Sequence, residues 1–334
     1  MSVRRTGPAA RNALALALGV AALAAWWRLF GGPEVVRALA ATDAVLALLG
    51  FLLLVSSQLL RCFRWHVLLG AIGPVPFSLT FRSLYAAELL NTILPVKLGD
   101  AGRAVAISRV PRFTLGSAVA TIVLDRLSGL LVRVAVAPLV VLLPLAASRS
   151  LVLSASLYAS VLSAAAGAGL LFRHRPGLFP ALARRGLGFL PERWRASIEA
   201  TFSSFATSVV SLGLNRTMAA RVLLLSLLAL GLQASAFWLW FRAAGATLGV
   251  LTVLVGTAFL DLLALLPAPP AGLGVAEWSM TFVFSWTLGA PSLSTSVTAL
   301  VAHGLWLLLV TSFGGVSLSA LSEMWPGRRG PNGR

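Results

Sequence analysis

Long uncharged apolar runs alternate with short arginine-rich stretches along this chain, and that alternation predicts its elements. Asn12 to Trp27 is apolar and follows Arg4, Arg5 and Arg11. A helix crossing a bilayer needs about 20 such residues, so the run reads as a first transmembrane helix with a cytoplasmic, arginine-marked N-terminus. The small residues Ala22 to Ala25 would also suit a signal-peptide cleavage site, but the run continues into Trp26 and Trp27, which fit an interfacial belt. The connection to residue 43 carries Arg28, Glu34, Arg37 and Asp43, is neutral, and reads as external. Ala44 to Leu60 returns inward and ends at Arg61, Arg64, Trp65 and His66, a basic and aromatic cytoplasmic interface.

The next apolar segment is interrupted. Glu88 to Arg103 carries Glu88, Asn91, Lys97, Asp100 and Arg103 and is broken by Pro95, Gly99 and Gly102. Proline removes a backbone donor and glycine frees the backbone, so a helix entering at Phe81 breaks near Pro95 and resumes near Asp100. In hydrocarbon such a break is tolerated only inside protein or beside a water-filled cavity. Both ends of the segment are basic, which predicts a re-entrant hairpin entered from the cytoplasm.

Thr114 to Leu145 forms one tilted span carrying Asp125, Arg126 and Arg133, and Leu151 to Phe172 comes back. Residues 173–216 are strongly basic and read as cytoplasmic. Within them Trp194, Ile198, Phe202, Phe205 and Val209 share one face of an amphipathic helix. Val222 to Trp240 crosses outward. Leu248 to Gly289 repeats the broken pattern: an apolar helix with Asp261, a break from Leu266-Pro267 through Gly272 and Gly274, and a restart carrying Glu277. Ser294 to Leu318 is the last span, and residues 322–334 form a basic cytoplasmic tail. The reading is an all-α polytopic membrane protein, one integral membrane domain over 1–334. It has about six transmembrane helices and two re-entrant hairpins of opposite entry, the pattern of an inverted repeat with a midplane site.

Composition supports this class: 58% of the 334 residues are hydrophobic, 11% are charged, and mean hydropathy is +0.90. The net charge of +17 sits in loop clusters between apolar runs, which argues for anionic lipid surfaces and against nucleic acid. Cys62 is the sole cysteine, and His66, His174 and His303 are scattered, so neither a disulfide framework nor a metal motif is expected, and no cofactor. Lys97 is the sole lysine.

An unpaired charge at a helix centre costs about 2.5–3.5 kcal/mol on the insertion scale, so charges there face partners or a wet cavity. Asp100 and Arg103, three apart, are expected to pair, and Asp125 to meet Lys97 or Arg126. Resumed helices near Asp100 and after Gly274 would point free N–H groups at an anion. Lys97 and Arg103 would attract its phosphate.

Arg64-Trp65, Asn91-x-x-x-Pro95-x-x-x-Gly99-Asp100-x-x-Arg103, Asp125-Arg126 and the stretch Pro267 to Glu277 together resemble the lysylphosphatidylglycerol-synthase transmembrane region, the flippase-like membrane domain. The resemblance runs over about residues 45–320. Relatives carry Pro-x-x-x-Gly-Glu-x-x-Arg and Glu-Arg, where this chain has Asp100 and Asp125. The resemblance implies movement of lipids or lipid-linked intermediates between leaflets of a bacterial-type plasma membrane. Synthases of the family add a soluble aminoacyl-transferase domain; this sequence ends at Arg334 and is expected not to make the lipid, a separate enzyme supplying it. The rival expectations are an ion- or proton-coupled transporter of a soluble solute and an intramembrane lipid-modifying enzyme using Asp100 and Asp125.

Overall fold

The computed structural model describes residues 8–94, 98–136, 139, 216–264 and 268–323, and all the regular structure in them is helical. The expected span 151–172, the amphipathic helix around 194–209, the tail from residue 324, and Pro95, Lys97 and Pro267 lie outside the described residues.

In chain order the helices are α1 (Pro8–Phe30), α2 (Pro33–Ala40), α3 (Ala44–Gly70), α4 (Phe77–Ile93), α5 (Gly99–Ile107) and α6 (Leu115–Val136). After the undescribed stretch come α7 (Arg216–Ala243), α8 (Val250–Leu263), α9 (Val275–Met280, passing into a π-helical turn Thr281–Thr287) and α10 (Ser292–Glu323). Among the described residues, four helices are long and apolar enough to cross a bilayer: Ala13–Phe30, Ala44–Gly70, Arg216–Ala243 and Ser292–Leu321. They coincide with four of the six expected spans. The 22-residue α6 is comparable in length but carries Asp125, Arg126 and Arg133. At about 1.5 Å per residue, the 14-residue α8 and 17-residue α4 are shorter elements, each ending at one of the two expected breaks.

The longest packing seam joins α3 to α7. Trp240 lies on Gly50 and donates its indole N–H to the Ala47 carbonyl at 3.1 Å, Ser57 donates to the Ala229 carbonyl at 2.7 Å, and Arg64 reaches Ser226. Contact positions fall along α7 as they rise along α3, so the pair is antiparallel. A second antiparallel seam joins α4 to α10. Phe81 and Tyr85 pack on Phe313, and Leu89 packs on Leu309 and Val310. Gly314 permits the approach: a Cβ there would lie 2.5 Å from the Leu89 Cβ.

Helix α3 runs ten residues past the expected boundary at Leu60. Arg64 and Trp65 are therefore buried inside the bundle and do not form a cytoplasmic interface. Trp65 packs with Cys62, Leu69, Ile107 and Ile122, and its indole N–H donates to Thr121. A helix already hydrogen-bonded through Leu60 continues readily when its next charges meet partners on neighbouring helices, which is what the site supplies.

Candidate functional site

The first break is built by small residues and one side-chain cap. Gly99 opens α5 directly against α4; a Cβ there would sit 2.0 Å from the Ala87 carbonyl oxygen. Its N–H donates to the Asn91 side-chain oxygen at 2.8 Å, so Asn91 satisfies one of the free donors at the restarted helix. The α4–α5 hairpin thus closes on itself and lies against α6.

Four helices then converge on a chain of alternating charges. Arg64 of α3 donates from Nε to Asp125 of α6 at 2.8 Å, and from Nη1 to Ser226 of α7 at 2.9 Å. The other Asp125 oxygen lies 3.9 Å from Nη2 of Arg103, on α5. Arg103 stacks over Trp65 at 4.6 Å and lies 3.2 Å from Asp100. Asp100 receives Nη2 of Arg126 on both oxygens, at 3.2 and 3.1 Å. Arg126 also approaches Glu88 of α4 at 3.8 Å, and Glu88 faces Arg61 of α3 at 4.0 Å. Arg61 donates to Gln58 at 2.9 Å.

The expected Asp100–Arg103 pair is present. Of the two partners expected for Asp125, Lys97 lies outside the described residues and Arg126 is not a partner: Asp125 is held by Arg64 and Arg103, and Arg126 turns to Asp100 and Glu88. Adjacent helix positions point about 100° apart, so Asp125 faces the α3–α7 side while Arg126 faces the hairpin. Arg103 is not part of the exposed rim either: it is buried over an indole with two carboxylates near it, and its Nε and Nη2 make no hydrogen bond among the described residues.

The chain of charges has two tiers. Side chains of Arg103, Arg64 and Asp125 are 1%, 5% and 7% exposed, whereas those of Arg126, Asp100, Arg61 and Glu88 are 38%, 27%, 23% and 17% exposed. The inner tier is a strut, and the outer tier is an accessible rim of two guanidiniums and two carboxylates.

At the second break, Ala271, Gly272 and Gly274 take φ of 59°, 68° and 77°, a left-handed path that glycine adopts freely and alanine does not. Gly274 packs on α1 so closely that a Cβ would meet the Leu23 nitrogen at 2.7 Å. Trp26 donates to Thr281 at 2.8 Å and Trp278 to the Ala22 carbonyl at 3.0 Å, fastening α1 to α9. Gly274 therefore serves close helix packing, while Gly272, with open space where a Cβ would lie, serves the left-handed turn. Glu277 is buried, with one oxygen 2.5 Å from Nδ1 of His303 on α10, whose Nε2 lies 2.8 Å from the Ala271 carbonyl. The turn Pro270–Gly272 touches α4, the helix that ends at the first break.

Sequence reading brought together Asn91, Gly99, Asp100 and Arg103 and placed Asp125 and Arg126 within an apolar span where charges need partners, but it set Arg64 at an interface, whereas the structure buries it against Asp125. It did not foresee that Glu277 binds His303, separate from the arginine network. Gln58, Ser226 and Gln233 were also missed. Gln233 donates to Asp261 at 3.0 Å, and Arg133 does so at 2.6 Å. A histidine within the apolar run of α10 was the available signal, since an ionisable group there needs a partner.

Apolar spanning helices packed around ion pairs, with two interrupted hairpins brought together, define a polytopic helical membrane protein with a polar interior. The lysylphosphatidylglycerol synthase TM region family model matches residues 12–314, nearly the whole chain, and the protein belongs to that lipid-related family. No curated protein matches the sequence significantly.

Proposed function

We propose that this protein moves an anionic phospholipid or lipid-linked intermediate between leaflets, the headgroup travelling along the rim formed by Arg61, Glu88, Arg126 and Asp100. The observation that carries this reading is the graded exposure of the charges. Ionised side chains within a membrane bundle that remain partly open face water or a polar ligand, and this rim is the open part. Guanidinium matches phosphate geometrically and electrostatically, while Glu88 and Asp100 keep both arginines oriented before the ligand arrives. Acyl tails would stay in the bilayer while the headgroup exchanges contacts with Arg126 and Arg61. Lys97, in the first break, would add to this attraction.

The two broken hairpins act as re-entrant elements of an inverted repeat, with both termini cytoplasmic, in a bacterial-type plasma membrane. The protein is not itself an enzyme and receives its lipid from one; it binds neither nucleic acid nor a cofactor. Purified protein in vesicles with fluorescent anionic phospholipids tests the reading. Accelerated leaflet exchange over protein-free vesicles is expected, and equal exchange rejects it. Transport persisting in chelator separates it from a metal-dependent lipid-modifying enzyme.

Buried carboxylates and the Glu277–His303 pair give a second reading some ground: proton-coupled transport of a water-soluble solute. The two differ in whether labelled lipid or trapped solute crosses.

A further inference from the structure

We propose that Glu277 and His303 form an intramembrane proton-binding site whose occupancy holds the second break closed, making lipid movement proton-dependent. This rests on the translocation reading for its purpose but not for its chemistry. A backbone carbonyl can only accept a hydrogen bond, so the 2.8 Å contact to Ala271 requires a hydrogen on Nε2 of His303. Nδ1 then lies 2.5 Å from a Glu277 carboxyl oxygen, and that approach also needs a hydrogen between the two atoms. With Nδ1 bare and Glu277 ionised, two lone pairs would face each other at hydrogen-bond distance. Whether the proton is written on imidazolium or on carboxylic acid, the pair contains one more proton than neutral histidine plus carboxylate. The arrangement seen is the loaded one.

Among the described residues, no other charged group is paired with Glu277 or His303. The two side chains are 10% and 3% exposed, and the second Glu277 oxygen is buried without a hydrogen-bond partner. Of the elements around the pair, α4 directs Glu88 to Arg61 and Arg126, and α8 directs Asp261 to Arg133. Arg28 of α1, Glu34 and Arg37 of α2, and Arg216, Arg221 and Arg242 of α7 are exposed, and His66 of α3 is paired with Thr80. Arg82 of α4 lies beyond the Tyr85–Phe313 contact, ten residues along α10 from His303. The α3 arginines Arg61 and Arg64 are committed to Glu88 and Asp125. Burying a carboxylate with an unpartnered oxygen favours the protonated, net-neutral pair over neutral histidine beside a lone carboxylate.

The proton is placed to control backbone. His303 grips the carbonyl of Ala271, the non-glycine residue in the left-handed turn, and that turn sits between α1 and α4. Loss of the proton leaves His303 with a single N–H, which can serve Glu277 or the Ala271 carbonyl but not both. The ionised carboxylate is the stronger acceptor, so the N–H moves to Nδ1 and the turn is released from α10. The closed state binds the proton, so low pH favours it. Above the apparent pKa of the pair the closed-to-open ratio falls by up to about tenfold per pH unit, the limit for one linked proton.

Hydrogen exchange of residues 268–280 in the intact detergent-solubilised protein, corrected for intrinsic rates, reads the turn directly. Wild type is expected to lose protection with rising pH. Glu277→Gln, whose amide can donate permanently to Nδ1, should stay protected at every pH, and His303→Gln should lose the pH dependence. Equal pH-independence in wild type and Glu277→Gln overturns the proposal. In vesicles, an imposed pH gradient should change lipid exchange by wild type and not by Glu277→Gln. Lipid exchange indifferent to the gradient overturns proton coupling and leaves translocation standing. A pH-dependent turn in a protein that moves no lipid rejects translocation and leaves the proton site standing.

Discussion

At the residue scale, the arrangement is governed by the penalty for leaving an ion alone in a low-dielectric interior. Arg64 and Asp125 exemplify it: both are buried, joined by 2.8 Å contacts, and supported by Ser226 and Arg103. Removing one partner of such a pair costs about 3–5 kcal/mol, whereas replacing both with apolar residues of similar size is often neutral or better. Arg64→Ala and Asp125→Ala should therefore each lower the thermal unfolding midpoint in detergent markedly, and Arg64→Met with Asp125→Leu should recover most of the loss. Single variants as stable as wild type would contradict the strut. Glycines offer a contrast within one helix. Gly99→Ala pushes a methyl into the Ala87 carbonyl and should cost roughly 1–3 kcal/mol, as overpacking does. Gly102→Ala, whose nearest neighbour would be Leu90 Cδ1 at 3.8 Å, should be neutral or slightly stabilising, because alanine favours helix.

At the scale of elements, interrupted helices are held by side chains that cross from one to another. Arg133 of α6 and Gln233 of α7 both bind Asp261 of α8, tying the short apolar helix before the second break to two longer ones. A double-mutant cycle with Arg133→Gln and Asp261→Asn should give a coupling energy of about 0.5–3 kcal/mol, the range for residues in direct contact. Additive effects would mean that the pair does not position α8. The same scale explains the misread end of α3. Arg61, Arg64 and Trp65 have the composition of a membrane interface, yet the helix carries them inward because Glu88, Asp125 and Thr121 wait on neighbouring helices. Composition registers that a segment is basic and aromatic but not which neighbours receive it.

At the scale of the whole molecule, the charges divide into a buried strut that fixes the helices and a half-open rim that is free to exchange partners. Arg126, the most exposed of the arginines in the network, separates these roles. Losing one charge-assisted hydrogen bond costs about 1.5–3 kcal/mol, so Arg126→Ala should slow leaflet exchange about tenfold or more in reconstituted vesicles. Its unfolding midpoint should move much less than that of Arg64→Ala. Slowed exchange accompanied by an equal loss of stability would assign Arg126 to the strut.

The sequence alone determined the membrane class, four of the spanning helices, both interruptions and the pairing of Asp100 with Arg103. Each of these is local: apolar run length, proline and glycine placement, and helical spacing operate within about twenty residues. Only tertiary structure decided that Asp125 binds Arg64, that Arg103 is enclosed over Trp65, that Glu277 meets His303, and that α1 clamps the second break. Those partners come from separate helices, often more than twenty residues apart, and a charge in an apolar run reveals that it needs a counterpart without revealing which helix brings it. The packing of small residues against neighbouring backbones sets that choice.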